Sequence, residues 1–193
     1  MNTIFVDVDT QLDFLYPAGA LYVPGAERLI PALARLTQYA AQHAIPLIST
    51  VDAHTEDDVE FRSWPKHCVA GATGQHKAEA TLLPRRVVVP NREGDVAIEG
   101  AQQIVVEKQT VDAFQTHTFA RIVRSLNPGR IVVYGVVTEI CVLHAVRGLL
   151  AFGKPLTVVT DAIRPLTGEA SRAALDEMRA GGATLATASQ VAS

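Results

Sequence analysis

The chain of 193 residues contains little cysteine, no excess of basic residues and no long apolar run. Two cysteines are too few for a disulfide framework, which indicates a reducing compartment and predicts a cytoplasmic protein. The net charge is −3 and the basic residues are scattered, so the sequence offers no basic patch for nucleic acid. No apolar run approaches the roughly 18 residues of a membrane-spanning helix, and the opening MNTIF lacks the basic segment of a signal peptide. We therefore expect a protein with no nucleic-acid partner and no membrane association.

The length and the pattern of apolar residues predict a single α/β domain that spans residues 1–193. Apolar runs alternate with amphipathic stretches, without an internal repeat or a low-complexity linker. Repeated βα units favour a three-layer sandwich, with a mostly parallel six-stranded sheet and helices on both faces. The predicted strands are Thr3–Val8, Pro46–Val51, Gln103–Glu107, Arg130–Gly135, Leu156–Thr160 and Thr184–Thr187. The predicted helices are Ala26–His43, Thr118–Leu126, Ile140–Phe152 and Gly168–Ala180.

The segment from Ala53 to about Gly100 is too long for a simple connection between elements. It is rich in glycine, proline, histidine and charge, and it contains one short strand candidate, Val87–Val89. Long loops in compact domains are usually functional, so we expect this segment to shape a binding site.

Four of the predicted strands end at chemically reactive side chains. Asp9 follows the first strand, and Asp52 and His54 follow the second. Lys108 comes directly after the third, and Cys141 lies just beyond the fourth. Because ligands bind beyond the carboxyl ends of the strands in an open parallel sheet, we expect these side chains to share one crevice. This arrangement is typical of an enzyme.

Cys141 lies where a buried strand turns into a helix, and it is the candidate nucleophile. A thiol in the first turn of a helix is close to the positive end of the helix dipole, which predicts a lowered pKa. The backbone N–H groups of Val137 and Cys141 are candidates for an oxyanion hole. The alternative is a buried core cysteine, which is the commoner fate of a lone cysteine in apolar surroundings. We interpret the other cysteine, Cys68, as structural packing.

Asp9 and Lys108 strengthen the catalytic interpretation. A cysteine that attacks an amide needs a base for its own proton and an acid for the leaving amine, and a partly desolvated carboxylate can serve as both. A nearby lysine ammonium would hold the thiolate and offset the charge of the carboxylate. Taken singly, Asp9 is better interpreted as a turn residue and Lys108 as a solvated charge. Their joint placement at neighbouring strand ends favours catalysis.

Imidazole and carboxylate side chains cluster after the second predicted strand. Asp52 and His54 point to the same side of an extended chain, and Glu60 and His67 follow in the next segment. This donor set suits zinc, iron or manganese better than calcium or magnesium. Three or four protein ligands with open positions would make the metal catalytic or substrate-binding. The alternative is a set of solvated loop residues, which is our interpretation of the acidic run Glu56-Asp57-Asp58.

The same segments resemble the nicotinamidase/pyrazinamidase family, within the isochorismatase-like superfamily of cysteine hydrolases. The resemblance covers nearly the whole chain; each motif alone is loose, but all four in order are specific. The motifs are DTQLDF at Asp9–Phe14 with the following Gly19–Gly25, Asp52-Ala53-His54 with Trp64–Val69, Lys108, and the turn Gly135–Cys141.

For catalysis, the resemblance implies Cys141 as the nucleophile, Asp9 as general base and then acid, and Lys108 as the third member of a triad. It also implies a cis peptide bond between Val136 and Val137, which directs the Val137 N–H at the oxyanion. The implied reaction is hydrolysis of nicotinamide to nicotinate and ammonia through a thioester, as a step of NAD salvage.

For metal and substrate binding, the resemblance implies one divalent ion, with zinc favoured and iron or manganese as alternatives. The implied ligands are Asp52, His54 and His67, with Glu60 at a fourth position that varies within the family. Phe14 and Trp64 would sandwich the pyridine ring, whose nitrogen would coordinate the metal. Without the resemblance, both aromatic residues would be interpreted as core packing. The family also suggests a homo-oligomer.

Two other functions fit the sequence. One is a related hydrolase that acts on another small amide or on a ureido compound, although the metal segment argues against the metal-free branches of the superfamily. The other is a non-catalytic module that keeps the fold and binds a metal or a small ligand. The presence of Cys141, Asp9 and Lys108 together argues against that module. A small-molecule carboxamide remains the expected partner.

Overall fold

The computed structural model describes residues 2–94 and 97–193. The strands are β1 (Thr3–Val8), β2 (Leu47–Asp52), β3 (Arg86–Val89), β4 (Gln103–Lys108), β5 (Arg130–Val136), β6 (Leu156–Arg164) and β7 (Thr184–Ala186). The α-helices are α1 (Leu12–Leu15), α2 (Ile30–Gln42), α3 (Phe119–Leu126), α4 (Leu143–Leu150), α5 (Gly168–Ala180) and α6 (Ala188–Val191). Short 3-10 turns cover Ala26–Leu29, Val59–Arg62, Thr73–Gln75, Glu79–Thr81 and Ala113–Gln115, and a π turn covers Thr138–Val142.

The strands form one parallel sheet in the order β3-β4-β2-β1-β5-β6-β7. The predicted α/β class is confirmed, but the sheet has seven strands where six were predicted. The added strand, β3, overlaps the short candidate Val87–Val89. It lies at the edge of the sheet, pairs with β4 alone and leaves Val88 exposed. This short strand has one neighbouring strand and one open side. It therefore lacks the continuous apolar run from which a buried parallel strand is predicted.

The helices cover both faces of the sheet, with α2 packed against α6 and α4 packed against α5. The predicted helix Ala26–His43 begins as a 3-10 turn and becomes α-helical at Ile30, with Pro31 in its first turn. Proline fits there because the first N–H groups of a helix have no partner within the helix. The inner face of α2 buries Leu33, Leu36 and Ala40, at the spacing expected of an amphipathic helix. Within the described residues, no helix is long and apolar enough to cross a membrane.

The order of the strands reverses direction at β1. On one side of β1 the sheet extends through β2 and β4 to β3 at the edge, and after β4 the chain returns to pair β5 with the other side of β1. In doubly wound sheets, ligands bind at such a switch point, beyond the carboxyl ends of the strands. β2 and β4 each extend one residue beyond their predicted ends, so Asp52 and Lys108 are register partners at this edge.

Gly135 allows β5 to approach β1 closely at the switch point. It pairs with Val8, and a Cβ atom at this position would lie 2.0 Å from the carbonyl oxygen of Val8. Its φ of +123° is also a conformation that residues with a side chain rarely adopt. The Val136–Val137 peptide bond that follows is cis, as the resemblance implied.

Candidate active site

The carboxyl edge of the sheet brings three reactive groups around the ammonium of Lys108. Its Nζ lies 2.9 Å from Oδ2 of Asp9, 2.5 Å from Oδ1 of Asp52 and 3.8 Å from Sγ of Cys141. Asp52 and Lys108 end β2 and β4, Asp9 directly follows β1, and Cys141 lies in the turn after β5; all four residues are buried. One side chain therefore connects the predicted triad with the predicted metal ligand Asp52.

The pKa of Lys108 is raised and that of Asp52 is lowered, so both buried groups are charged. Burial disfavours the charge of Lys108, but the Asp52 and Asp9 carboxylates outweigh it and hold the lysine pKa well above its ordinary value. Burial likewise acts to raise the pKa of Asp52, but the Lys108 ammonium and two histidines reverse the effect and hold it well below its ordinary value. At neutral pH the centre contains a lysine ammonium and an Asp52 carboxylate.

Asp9 has the properties of a general base. Burial raises its pKa, Lys108 opposes the rise, and the neighbouring Asp52 adds to it. The Thr50 hydroxyl donates a hydrogen bond of 2.7 Å to Oδ1 of Asp9 and fixes the orientation of the carboxylate. A carboxylate with a raised pKa is a stronger base, and in its protonated form it remains a usable acid near neutral pH.

Cys141 is a neutral thiol at rest. Burial raises its pKa well above the ordinary value; Lys108 lowers it, while Asp9 and Asp52 raise it further. The prediction of a lowered pKa is therefore wrong. The residue lies in a π turn before α4, not in the first turn of the α-helix, and two carboxylates lie nearby. A resting thiol requires a base before it can attack, which assigns more importance to Asp9.

The turn around Cys141 is fixed by its backbone. The Val137 carbonyl accepts hydrogen bonds from the N–H groups of Ile140 and Val142, both at 3.1 Å. Within the same turn, Oε1 of Glu139 accepts a hydrogen bond of 2.9 Å from the backbone N–H of Leu166. The nucleophile turn is thus joined to the segment that follows β6.

Asp52, His54 and His67 form a buried group whose potential ligand atoms all lie within 4.8 Å of one another. Oδ2 of Asp52 is 3.8 Å from Nε2 of His54 and 3.6 Å from Nε2 of His67. The other ring nitrogens face outer partners: Nδ1 of His54 is 3.0 Å from Oδ2 of Asp58, and Nδ1 of His67 is 2.7 Å from the Pro65 carbonyl oxygen. Such outer contacts orient a histidine and fix the ring nitrogen that it presents to a metal.

The three side chains fit a divalent metal ion. Neither ring nitrogen of His54 has a hydrogen-bond partner among the described residues, so Nε2, which lies nearer Asp52, is available as a ligand atom. Two imidazoles and one carboxylate suit zinc, iron or manganese and leave positions open for other ligands. Glu60 is not brought into this group; it lies in the 3-10 turn Val59–Arg62 and faces the adjacent pocket. Its role as a fourth ligand stays a prediction.

A pocket of about 400 Å³, counting its open mouth, is bordered by Cys141 of the triad and by Asp52 and His67. Its walls are mostly apolar and include the two predicted substrate-binding residues, Phe14 and Trp64. The lining residues are Phe14, Leu21, Val23, Asp52, Glu60, Trp64, His67, Val111, Val137, Ile140, Cys141 and Leu166. The thiol, Asp52 and His67 therefore face the same space as the aromatic walls.

Four residues without a predicted role support the site. Gln11 accepts a hydrogen bond of 2.7 Å from the Asp52 N–H and donates one of 2.8 Å to the Asp52 carbonyl. Thr50 orients Asp9, and the Phe61 ring packs 5.1 Å from the His54 ring, centre to centre. Asp58, interpreted from the sequence as a solvated loop residue, contacts His54 and accepts a hydrogen bond from the Glu60 N–H. Of these four residues, only Gln11 could have been identified from the sequence, because it is part of the DTQLDF motif.

Comparisons with known proteins agree with the fold. The sequence profile of the isochorismatase domain matches residues 3–190. An Arabidopsis thaliana protein described as a probable inactive nicotinamidase is 23% identical over 188 residues, which cover 92% of this chain and 88% of that protein. The zinc complex of a pyrazinamidase from Pyrococcus horikoshii superposes with a TM-score of 0.82 and 25% identity, over 97% of this chain and 99% of that one. An N-carbamoylsarcosine amidase from Thermoplasma acidophilum shares the fold, with a TM-score of 0.77 and 23% identity, over 97% of each chain.

Proposed function

This chain belongs to the isochorismatase family, and we propose that it is a metal-containing cysteine amidohydrolase that converts nicotinamide to nicotinate and ammonia. One observation carries the proposal. The Lys108 ammonium contacts Asp9, Asp52 and Cys141 at once, beside an apolar pocket with aromatic walls. This contact couples a base and a nucleophile to the residues that fit a metal ion.

In the proposed reaction, Asp9 takes the proton of the Cys141 thiol as the sulfur attacks the carboxamide carbon. The N–H groups of Val137 and Cys141 hold the resulting oxyanion. Asp9 then gives its proton to the nitrogen, the C–N bond breaks, and ammonia leaves a thioester on the sulfur. Water attacks the thioester with Asp9 again as the base, and the products are nicotinate and the restored thiol.

We propose zinc as the metal, with iron or manganese as alternatives, held by Asp52, His54 and His67. When bound, the ion would supply a Lewis-acid position for the pyridine nitrogen of the substrate. Phe14 and Trp64 would pack against the ring, and Lys108 would keep its ammonium between the metal ligand Asp52 and the base. We propose Glu60 as a fourth ligand only if the turn Val59–Arg62 approaches the ion.

The charges that face the pocket favour a neutral amide. Among the described residues, its lining includes the carboxyl groups of Asp52 and Glu60 but no lysine or arginine. A substrate with its own carboxylate, such as a carbamoylated amino acid, would find no lysine or arginine side chain in this lining to pair with, and only the proposed metal ion would be left to hold its charge. This distinction favours nicotinamide over the ureido substrates named for the Thermoplasma protein.

A non-catalytic role is the remaining alternative, since the Arabidopsis relative is described as inactive. The contacts of Lys108 with both carboxylates and with the thiol argue against it here. A binding module has no need of a buried thiol beside a base, and burying these charges is costly.

The contact between Asp58 and His54 predicts a metal-affinity effect from a residue that is not itself a ligand. We expect Asp58→Asn to weaken zinc binding by about 10–100-fold, because the imidazole loses the carboxylate that orients it. Competition with a chelating dye measures the change. Asp57→Asn is the matched control, since Asp57 is exposed and directly adjacent. Equal affinities in the two variants would contradict a metal role for His54.

Ammonia release from nicotinamide and from benzamide tests the function. Benzamide has the same carboxamide and ring size but lacks the ring nitrogen. We expect zinc-loaded protein to hydrolyse nicotinamide at least about tenfold faster than benzamide, and chelation to remove that preference. No ammonia from either amide in zinc-loaded protein would sink the proposal.

A further inference from the structure

A second buried ion pair lies close to the site but does not face the pocket. Nζ of Lys77 is 2.7 Å from Oδ2 of Asp7, and the two side chains are 3% and 0% exposed. The same ammonium donates to the Thr10 hydroxyl oxygen at 2.5 Å. The hydroxyls of Thr10 and Ser49 donate to the same oxygen of Asp7, at 3.1 and 3.3 Å. The pair joins the carboxyl end of β1 to the long segment between β2 and β4.

Stability alone does not explain this pair. Oδ1 of Asp7 is buried and has no hydrogen-bond partner among the described residues. A buried ion pair rarely contributes more stability than well-packed apolar side chains of similar size, and an unpaired buried oxygen weakens it further. The chain thus accepts an energetic disadvantage at the strand that leads to Asp9.

The neighbours of Lys77 hold the turn that follows Asp9. The backbone N–H of Leu12 donates to the His76 carbonyl at 2.8 Å, and the N–H of Ala78 donates to the Thr10 carbonyl at 3.0 Å. Gln11 and Lys77 form an antiparallel bridge. These bonds hold the segment 76–78 alongside the segment 10–12.

The turn needs such support, because Asp9 itself has a φ of +52°. Non-glycine residues adopt this left-handed conformation only where the surrounding structure imposes it. The next residue, Thr10, is held through its side chain by Lys77 and Asp7. Gln11 also donates to the Gln75 carbonyl at 2.8 Å and holds the backbone of Asp52 on both sides.

From these contacts we propose that the Asp7–Lys77 pair is a positioning device for the catalytic turn. It sets the orientation of Asp9 toward Cys141 through Thr10, and it sets Asp52 through Gln11. Neither charged side chain touches the pocket or the reacting atoms. The inference rests on the proposed function only in taking Asp9 as the base.

The double variant Asp7→Leu with Lys77→Met tests the device without leaving a buried charge. Leucine has the branched shape of aspartate and methionine nearly the length of lysine, so the core can stay packed. We expect turnover to fall by about 10–100-fold while KM stays within about threefold, since positioning and not substrate contact is lost. We expect alkylation of Cys141 by iodoacetamide to slow as well. Arg147→Gln with Glu177→Gln, which removes an exposed ion pair between α4 and α5, should change neither rate.

A double variant with wild-type turnover and wild-type alkylation, but a lowered melting temperature, would overturn the proposal in favour of a purely structural pair. If the double variant does not fold, Lys77→Arg is compared with Lys77→Met. If only the arginine variant keeps wild-type alkylation of Cys141, the charge at position 77 positions the turn. Equal alkylation rates in the two variants overturn the proposal. Asp9→Asn separates the two proposals. If Asp9→Asn does not change the alkylation rate, Asp9 is not the base. The role of the ion pair in holding Asp52 is then tested by the zinc affinity of the double variant.

Discussion

Cys141→Ala is expected to lower ammonia release from nicotinamide by at least about 10⁴-fold, because the nucleophile of the thioester route is lost. The residual rate would come from direct attack of water on the bound amide, assisted by substrate binding and by oxyanion stabilisation. The fold should survive, since removing one buried sulfur leaves only a small cavity among apolar neighbours. A coupled assay of ammonia release, run with an excess of zinc-loaded protein, measures the difference in rate between the variant and the wild type.

Cys68→Ala is the matched control for Cys141→Ala. Cys68 is the other free cysteine, is equally buried, and does not line the pocket. We expect this variant to keep turnover within a few-fold of the wild type. If both alanine variants kept wild-type rates, a thioester on Cys141 would be ruled out.

Lys108→Met is expected to lower the free energy of unfolding by about 3–5 kcal/mol and to abolish turnover. The ammonium is buried between Asp9 and Asp52, so the variant leaves two carboxylates in a water-poor site without their cation. One of them must take up a proton, and if it is Asp9, no base remains for the thiol. Urea unfolding in the presence of a chelator gives the stability change without a contribution from zinc.

The control for Lys108→Met is Lys66→Met, which removes an exposed lysine paired with Glu56 at 2.7 Å. Exposed pairs contribute little to stability, so unfolding of this variant should match the wild type. Zinc-loaded Lys108→Met should regain part of its stability, because the ion would supply Asp52 with a positive partner. A Lys108→Met variant as stable as Lys66→Met in chelator would contradict the buried bridge.

The sequence predicted the edge of the sheet where the site lies, because strand periodicity and the direction of parallel strands are local and general rules. Asp9 and Cys141 were expected at one crevice for that reason, and the structure places both against Lys108. The spacing of Asp52 and His54 likewise follows from an extended chain. His67 was a candidate from its imidazole, but its place in the ligand set was implied only by the family resemblance, since nothing in the segment after His54 determines how it folds back.

The remaining features depend on contacts between residues distant in sequence. Asp58 was interpreted as solvated because its acidic neighbours are, but the fold directs its carboxylate to His54. The pKa of Cys141 was predicted from the helix that follows it, whereas burial and the nearby carboxylates of Asp9 and Asp52 raise it. Lys77 gave no signal at all, since its partner Asp7 is 70 positions away. Such partners can be identified only when the fold is known.

The close approach at Gly135 has a consequence for redesigning substrate range. Any side chain at this position would displace the Val8 backbone and with it the strand that carries the base, so randomising position 135 would yield mainly inactive clones. The opposite holds at the rim, where Leu21 is half-buried and Leu166 is 42% exposed beside the pocket. A library confined to Leu21 and Leu166 can widen the entrance for larger amides while every catalytic contact keeps its geometry.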